Sequence, residues 1–135
     1  THVVRTGVRP LSGSVSLTGF VGLPEVTAPV YGQLLPADRI LRWDVTGPEP
    51  DVWMIFIEGS DGNAQWRHFV RGDARQAPIP DLSSEDEIAD VSAGTLRITL
   101  YGINVADFDF DTFTYASLSS QRWSAWSVDT VVAQR

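Results

Sequence analysis

Short runs of β-branched, aromatic and aliphatic residues recur along this 135-residue chain, broken at intervals by glycine, proline and aspartate. No stretch keeps the 3.6-residue apolar period that a long surface helix needs. The clearest runs cover residues 14–18, 40–45, 52–58, 65–71, 95–105 and 124–132, and each is rich in residue types that suit a pleated, half-buried surface. Many short strands divided by turns pack as a sandwich or a barrel. The pattern predicts an all-β chain, an antiparallel two-sheet sandwich.

The turns are as legible as the strands. Between the runs at 52–58 and 65–71 stands Gly59-Ser60-Asp61-Gly62-Asn63. Its Asp-Gly step tolerates positive φ and predicts a hairpin. Gly47-Pro48-Glu49-Pro50 forces a turn before Val52, while Pro78 and Pro80 confine any strand there to a sheet edge. The acidic stretch 81–90 reads as a solvated loop. A period of two assigns faces. Leu41, Trp43 and Val45 oppose Arg42 and Asp44; Leu96, Ile98 and Leu100 oppose Arg97, Thr99 and Tyr101. In the run 52–57 both faces are apolar, so that strand must be central and something must cover its outer side.

Absent residue types exclude much chemistry. The chain has no cysteine, all ten basic residues are arginine, and histidine occurs only at His2 and His68. Thiolate nucleophiles, disulfides, cysteine zinc sites, Schiff-base lysines and a P-loop lysine are thereby ruled out. A net charge of −7 with no basic block argues against a nucleic-acid partner. No apolar run is long enough to span a membrane as a helix. A start at Thr1, with methionine only at the internal Met54, is expected of a piece processed or excised from a longer protein.

The order of elements resembles the fibronectin type III fold. A proline-flanked opening at Thr27-Ala28-Pro29 is followed by Leu41-Arg42-Trp43-Asp44, an apolar strand, a hairpin, an edge and a long alternating strand. The resemblance makes the expected sandwich immunoglobulin- or fibronectin III-like, with a domain at 27–135 and residues 1–26 as an N-terminal extension or extra strand. Trp123-Ser124-Ala125-Trp126-Ser127 is similar to the W-S-x-W-S element before the last strand of cytokine-receptor fibronectin-like domains. There the tryptophans interleave with arginines, which implies cation–π stacking of Trp123 and Trp126 with Arg97 and Arg71. Tryptophans three apart in a plain strand point to opposite faces, so a shared face requires a bulge or twist at Ser124-Ala125.

Other candidates carry less pattern. Arg71-Gly72-Asp73 is the tripeptide that integrins read, placed here as a turn after a strand. Asp107, Asp109 and Asp111 have a spacing that gathers oxygen ligands for calcium if the loop curls. Held straight, the segment puts all three on one wet face with Phe108 and Phe110 inward, and this solvated strand is the expectation. No other cofactor is implied. Trp53, Trp66, Trp123 and Tyr101 are candidate platforms for sugar rings. His68, between Trp66 and Val70, reads as a structural histidine, and no catalytic constellation assembles around it or around His2 at an unstructured terminus. The chain therefore reads as a non-catalytic accessory module of an extracytoplasmic, bacterial protein, serving adhesion, spacing or protein–protein contact through a sheet face or end loops. The alternative is a carbohydrate-binding module that uses exposed tryptophan and tyrosine. As the anchor of the predicted core, Trp43 replaced by alanine should cost about 3–5 kcal/mol in denaturant unfolding.

Overall fold

The structure, a computed structural model, describes residues 2–6, 18–59, 65–81 and 94–135. Among them the strands are β1 (His2–Arg5), β2 (Leu23–Ala28), β3 (Ile40–Thr46), β4 (Val52–Gly59), β5 (Gln65–Arg71), β6 (Gln76–Pro78), β7 (Thr95–Val105) and β8 (Trp123–Gln134). Two single-turn 3-10 helices, Tyr115–Leu118 and Ser120–Arg122, lie between β7 and β8. One sheet has five strands in the order β1-β8-β7-β4-β5, and the other has three in the order β2-β3-β6. All neighbouring strands in both sheets run antiparallel. This is the all-β two-sheet sandwich that the alternation predicts.

The runs expected at 40–45, 52–58, 65–71, 95–105 and 124–132 each coincide with a strand, to within three residues at either end. The expected strand at 14–18 lies outside the described residues except for Thr18, which is not in a strand. Likewise β4 and β5 pair from Val52↔Arg71 to Glu58↔Gln65, as a hairpin requires, while the turn residues 60–64 and most of the acidic loop 81–90 lie outside the described set. Three further strands complete the sheets. β6 is three residues long and sits at a sheet edge, where Pro78 costs no ladder bond. β2 carries Pro24 as its second residue and also takes an edge. β1 joins the larger sheet beside β8, so His2 belongs to a strand and not to an unstructured terminus. The boundary drawn at Thr27 falls within β2. The first 26 residues thus contribute strands to both sheets.

Side-chain parity explains the core. From β3, Leu41 and Trp43 point between the sheets with Val45 partly covered; from β4, Trp53, Ile55 and Ile57; from β7, Leu96, Ile98 and Leu100. Removing each large side chain from water contributes roughly 1.5–3 kcal/mol. The opposite face of β4 is covered at its Val52 end, while Met54 and Phe56 stay partly exposed. Val52 joins Ile103, Val105 and Leu118 in a second cluster, packed on by Phe108, Phe110 and Phe113 from the long β7–β8 connection.

Trp53 is the most constrained side chain of the core. Its ring lies edge-on to Trp43, with centroids 5.8 Å apart, and its Nε1 donates to the carbonyl of Gly72 at 2.8 Å. The ring rests on β7 at Gly102, where a Cβ would stand 2.6 Å from Trp53 Cζ3. Gly72 is equally forced, because a Cβ there would lie 1.6 Å from the carbonyl oxygen of Pro50. Trp43, by contrast, finds no acceptor for its Nε1 among the described residues. A lost hydrogen bond costs about 0.5–1.5 kcal/mol, and a buried unpaired donor is itself a penalty. Trp53→Phe should therefore destabilise by about 1–2 kcal/mol more than Trp43→Phe in urea unfolding. Equal losses would show that the two indole nitrogens are in equivalent environments.

Candidate functional site

The outward face of the larger sheet is a lattice whose rows follow from register. Phe69 of β5, Met54 of β4, Tyr101 of β7 and Val128 of β8 form one row, and Arg67, Phe56, Thr99 and Thr130 form the next. Above the first row, residues 106–122 fold back over the sheet. Ser117 Oγ accepts from the Thr114 backbone N–H at 3.2 Å, starting the turn that carries Tyr115, and Tyr115 stands edge-on to Phe69 with centroids 6.1 Å apart. The connection closes where Trp123 Nε1 donates to the carbonyl of Leu118 at 3.0 Å.

Trp123 reaches this face through a β-bulge. Asn104 pairs with Ala125 and Val105 with Trp123, so Ser124 is an extra residue in β8. The insertion reverses parity, and Trp123 and Trp126 both flank Tyr101, each with ring centroids 6.2 Å from it. Thr6 secures the bulge from β1: its N–H donates to the Ser124 carbonyl at 3.0 Å and its hydroxyl to the Trp123 carbonyl at 2.8 Å. The inward residues of the motif do different work. Ala125 is buried, and Ser127 donates its hydroxyl to the Gly22 carbonyl across the sandwich at 2.7 Å.

The bulge that a shared face needs is present, but the arginine ladder is not. Arg97 pairs with Glu58 at 2.5 Å, and Arg71 pairs with Asp111 while lying 4.9 Å from the centroid of Phe110. The arginines are drawn away by carboxylates within reach, and Tyr101 takes the place between the tryptophans. The aspartates also depart from expectation. Residues 106–114 form turns and no strand. Asp109 accepts from the Asp111 N–H at 3.0 Å and from the Thr112 hydroxyl at 3.1 Å, while Asp111 faces Arg71. The carboxylates of Asp109 and Asp111 thus serve a turn and an ion pair. Among the described residues no group of three or more histidines and carboxylates is placed to hold a metal ion.

Between the sheet and the folded-back connection lies an aromatic trough of about 560 Å³. Phe56, Phe69, Tyr101, Tyr115 and Trp123 form its apolar wall, and Arg67, Ser119 and Ser120 its polar side. Arg67 lies 5.4 Å from the centroid of Phe56 and donates to the Tyr115 hydroxyl. A shallower concavity of about 450 Å³ shares Phe56 and Tyr101 and continues over Thr99, Thr130 and the Glu58–Arg97 pair. Together they make one open furrow across the strands.

Of the candidate platforms, Tyr101 and Trp123 meet in this furrow. Trp53 does not; it is fully buried in the core. Trp66 packs half-buried against the same core from the inner face of β5. His68 is half-buried, in register with Ile55. In Arg71-Gly72-Asp73 the glycine is buried and the arginine engaged with Asp111. Phe56, Phe69, Arg67 and Tyr115 escaped the sequence reading. The first three had a usable signal in strand parity, whereas Tyr115 lies in a connection with no periodicity.

Because Asp109 and Asp111 are committed to a turn and an ion pair, added calcium should leave the melting temperature unchanged. A rise abolished by Asp109→Asn would show that the loop rearranges around the ion. Among the described residues no helix is long and apolar enough to cross a membrane. Comparison of the chain with protein-family models, with curated proteins and with solved structures finds no match.

Proposed function

We propose that this chain is a non-catalytic binding module of a larger extracytoplasmic protein and that the furrow on its five-stranded sheet holds a glycan. The aromatic trough carries this reading. Sugar rings present apolar C–H faces and hydroxyl edges, and the furrow sets Tyr101, Tyr115 and Trp123 beside the hydroxyls of Ser119, Ser120, Thr99 and Thr130. It is open along the sheet, which suits a chain of rings better than one small enclosed molecule.

The arrangement of strands supports kinship in form with immunoglobulin- and fibronectin III-like modules. Counting from β2 to β8, the first, second and fifth strands share one sheet, and the third, sixth and seventh lie in the other. The A, B and E strands oppose C, F and G in the same way in immunoglobulin-like sandwiches. Fold alone assigns no ligand, so the furrow bears the functional argument.

One observation favours protein–protein contact as a second reading. Val30, Tyr31 and Leu34 are exposed on the loop after β2, with Leu23 beside them. Clustered exposed apolar side chains of this kind mark contact surfaces.

On a glycan array the intact chain should retain a subset of oligosaccharides, and Trp123→Ala or Tyr115→Ala should weaken retention about tenfold or more, the loss of roughly 1.4 kcal/mol. Tyr31→Ala should leave it unchanged. Absence of any glycan binding, or binding that survives both furrow substitutions, would overturn the proposal.

A further inference from the structure

We infer that the glycan is acidic, and that Arg67 receives the carboxylate of one of its sugar residues; the inference rests on the furrow being a glycan site. Arg67 is exceptional among the arginines described on the strands. Arg42 meets Asp38 at 2.6 Å, Arg97 meets Glu58 at 2.5 Å, and Arg71 meets Asp111. Off the strands, Arg39 meets Asp81 at 3.1 Å and Arg75 meets Glu49 at 2.6 Å. Arg67 has no carboxylate partner among the described residues, although the chain carries a net charge of −7. Arg122, also off the strands, donates instead to the Ala106 carbonyl at 2.8 Å, so among the described strand arginines it is Arg67 that faces the aromatic trough without a carboxylate.

The guanidinium is also held ready. It is stacked over Phe56 and tied to the Tyr115 hydroxyl, contacts that fix its plane while consuming one of its five N–H donors. A planar fork held in place by an aromatic face and a phenol loses little freedom on meeting a carboxylate, and that pairing is commonly bidentate. The neighbouring positive charge, Arg97, is neutralised by Glu58, so the excess charge of the furrow is centred on Arg67. Farther along the furrow the Thr130 hydroxyl, which donates to the buried Thr99 hydroxyl at 3.4 Å, keeps acceptor capacity for a sugar hydroxyl.

The test uses the intact chain and an array carrying uronic-acid and sialic-acid oligosaccharides, each beside its carboxyl-reduced counterpart, with a tetraglutamate peptide as a carboxylate without sugar. Wild-type protein should hold one or more acidic members at least tenfold more tightly than the reduced form, with affinity falling as salt rises. Arg67→Gln should abolish that preference while leaving residual binding to the reduced form. Arg67→Lys should restore it only in part, because lysine supplies charge without the fork. Thermal unfolding of each variant confirms that it is folded; Arg67 is exposed and its replacement should not alter the core. Equal binding of acid and reduced forms, or acid binding that survives Arg67→Gln, overturns the inference and leaves the glycan reading standing. Tetraglutamate bound as tightly as the acidic sugars also overturns it. No retention of any sugar, acidic or neutral, overturns both.

Discussion

The seat of Trp53 is the constraint on which the rest of the sandwich depends. Its ring touches Trp43 of the opposite sheet, rests on the glycine of the neighbouring strand, and hydrogen-bonds to the turn that leads from one sheet to the other. Three requirements follow. Residue 102 must lack a Cβ, residue 72 must approach the Pro50 carbonyl closely, and residue 43 must be large enough to meet the indole edge. Interiors pack at crystal-like density, so altering one of these positions transmits to the others. The spacing of the two sheets is set at this point, and the strands radiating from it inherit their faces.

The last strand then joins what the core separates. On its inner side Ser127 bonds to Gly22 and Asp129 accepts from the Val26 N–H at 3.0 Å, tying β8 to the edge of the smaller sheet. At its start the Ser124 bulge turns Trp123 outward to stand with Trp126 on Tyr101. A regular strand would have sent one of these tryptophans inward. One inserted residue therefore builds an aromatic wall, and Thr6, just past β1, locks the insertion by donating to the Trp123 and Ser124 carbonyls.

The furrow is a by-product of incomplete cover. The β7–β8 connection shields the Val52 end of the outer face, where Phe108, Phe110 and Phe113 pack together, and stops short of Phe56. A fully covered face would be core, and a bare one would expose a wide apolar patch. The half-covered face leaves aromatic walls beside hydroxyls and one unmatched guanidinium. That combination is chemically selective, and it is the basis of the proposed acidic-glycan ligand.

Periodicity by itself determined the strands that carry both the core and the furrow, because alternation and turn chemistry are local properties of the chain. Trp43, Ile55, Leu96 and Ile98 were legible as core for the same reason, as was the need for cover over β4, whereas Val45, expected in the same core, is only partly covered. Short edge strands carry less pattern: in β6 only the proline marks an edge, and in β2 a proline near the start interrupts the alternation. The partners of side chains were likewise decided only by tertiary structure. Trp53 and Trp123 were both candidate platforms for sugar rings, yet one is sealed against Gly102 and the other stands in the furrow. The expected ladder failed because Arg97 and Arg71 meet carboxylates brought from distant segments, Glu58 and Asp111. Burial and charge pairing depend on neighbours far along the chain, and a period of two says which face a residue takes without saying what will be waiting there.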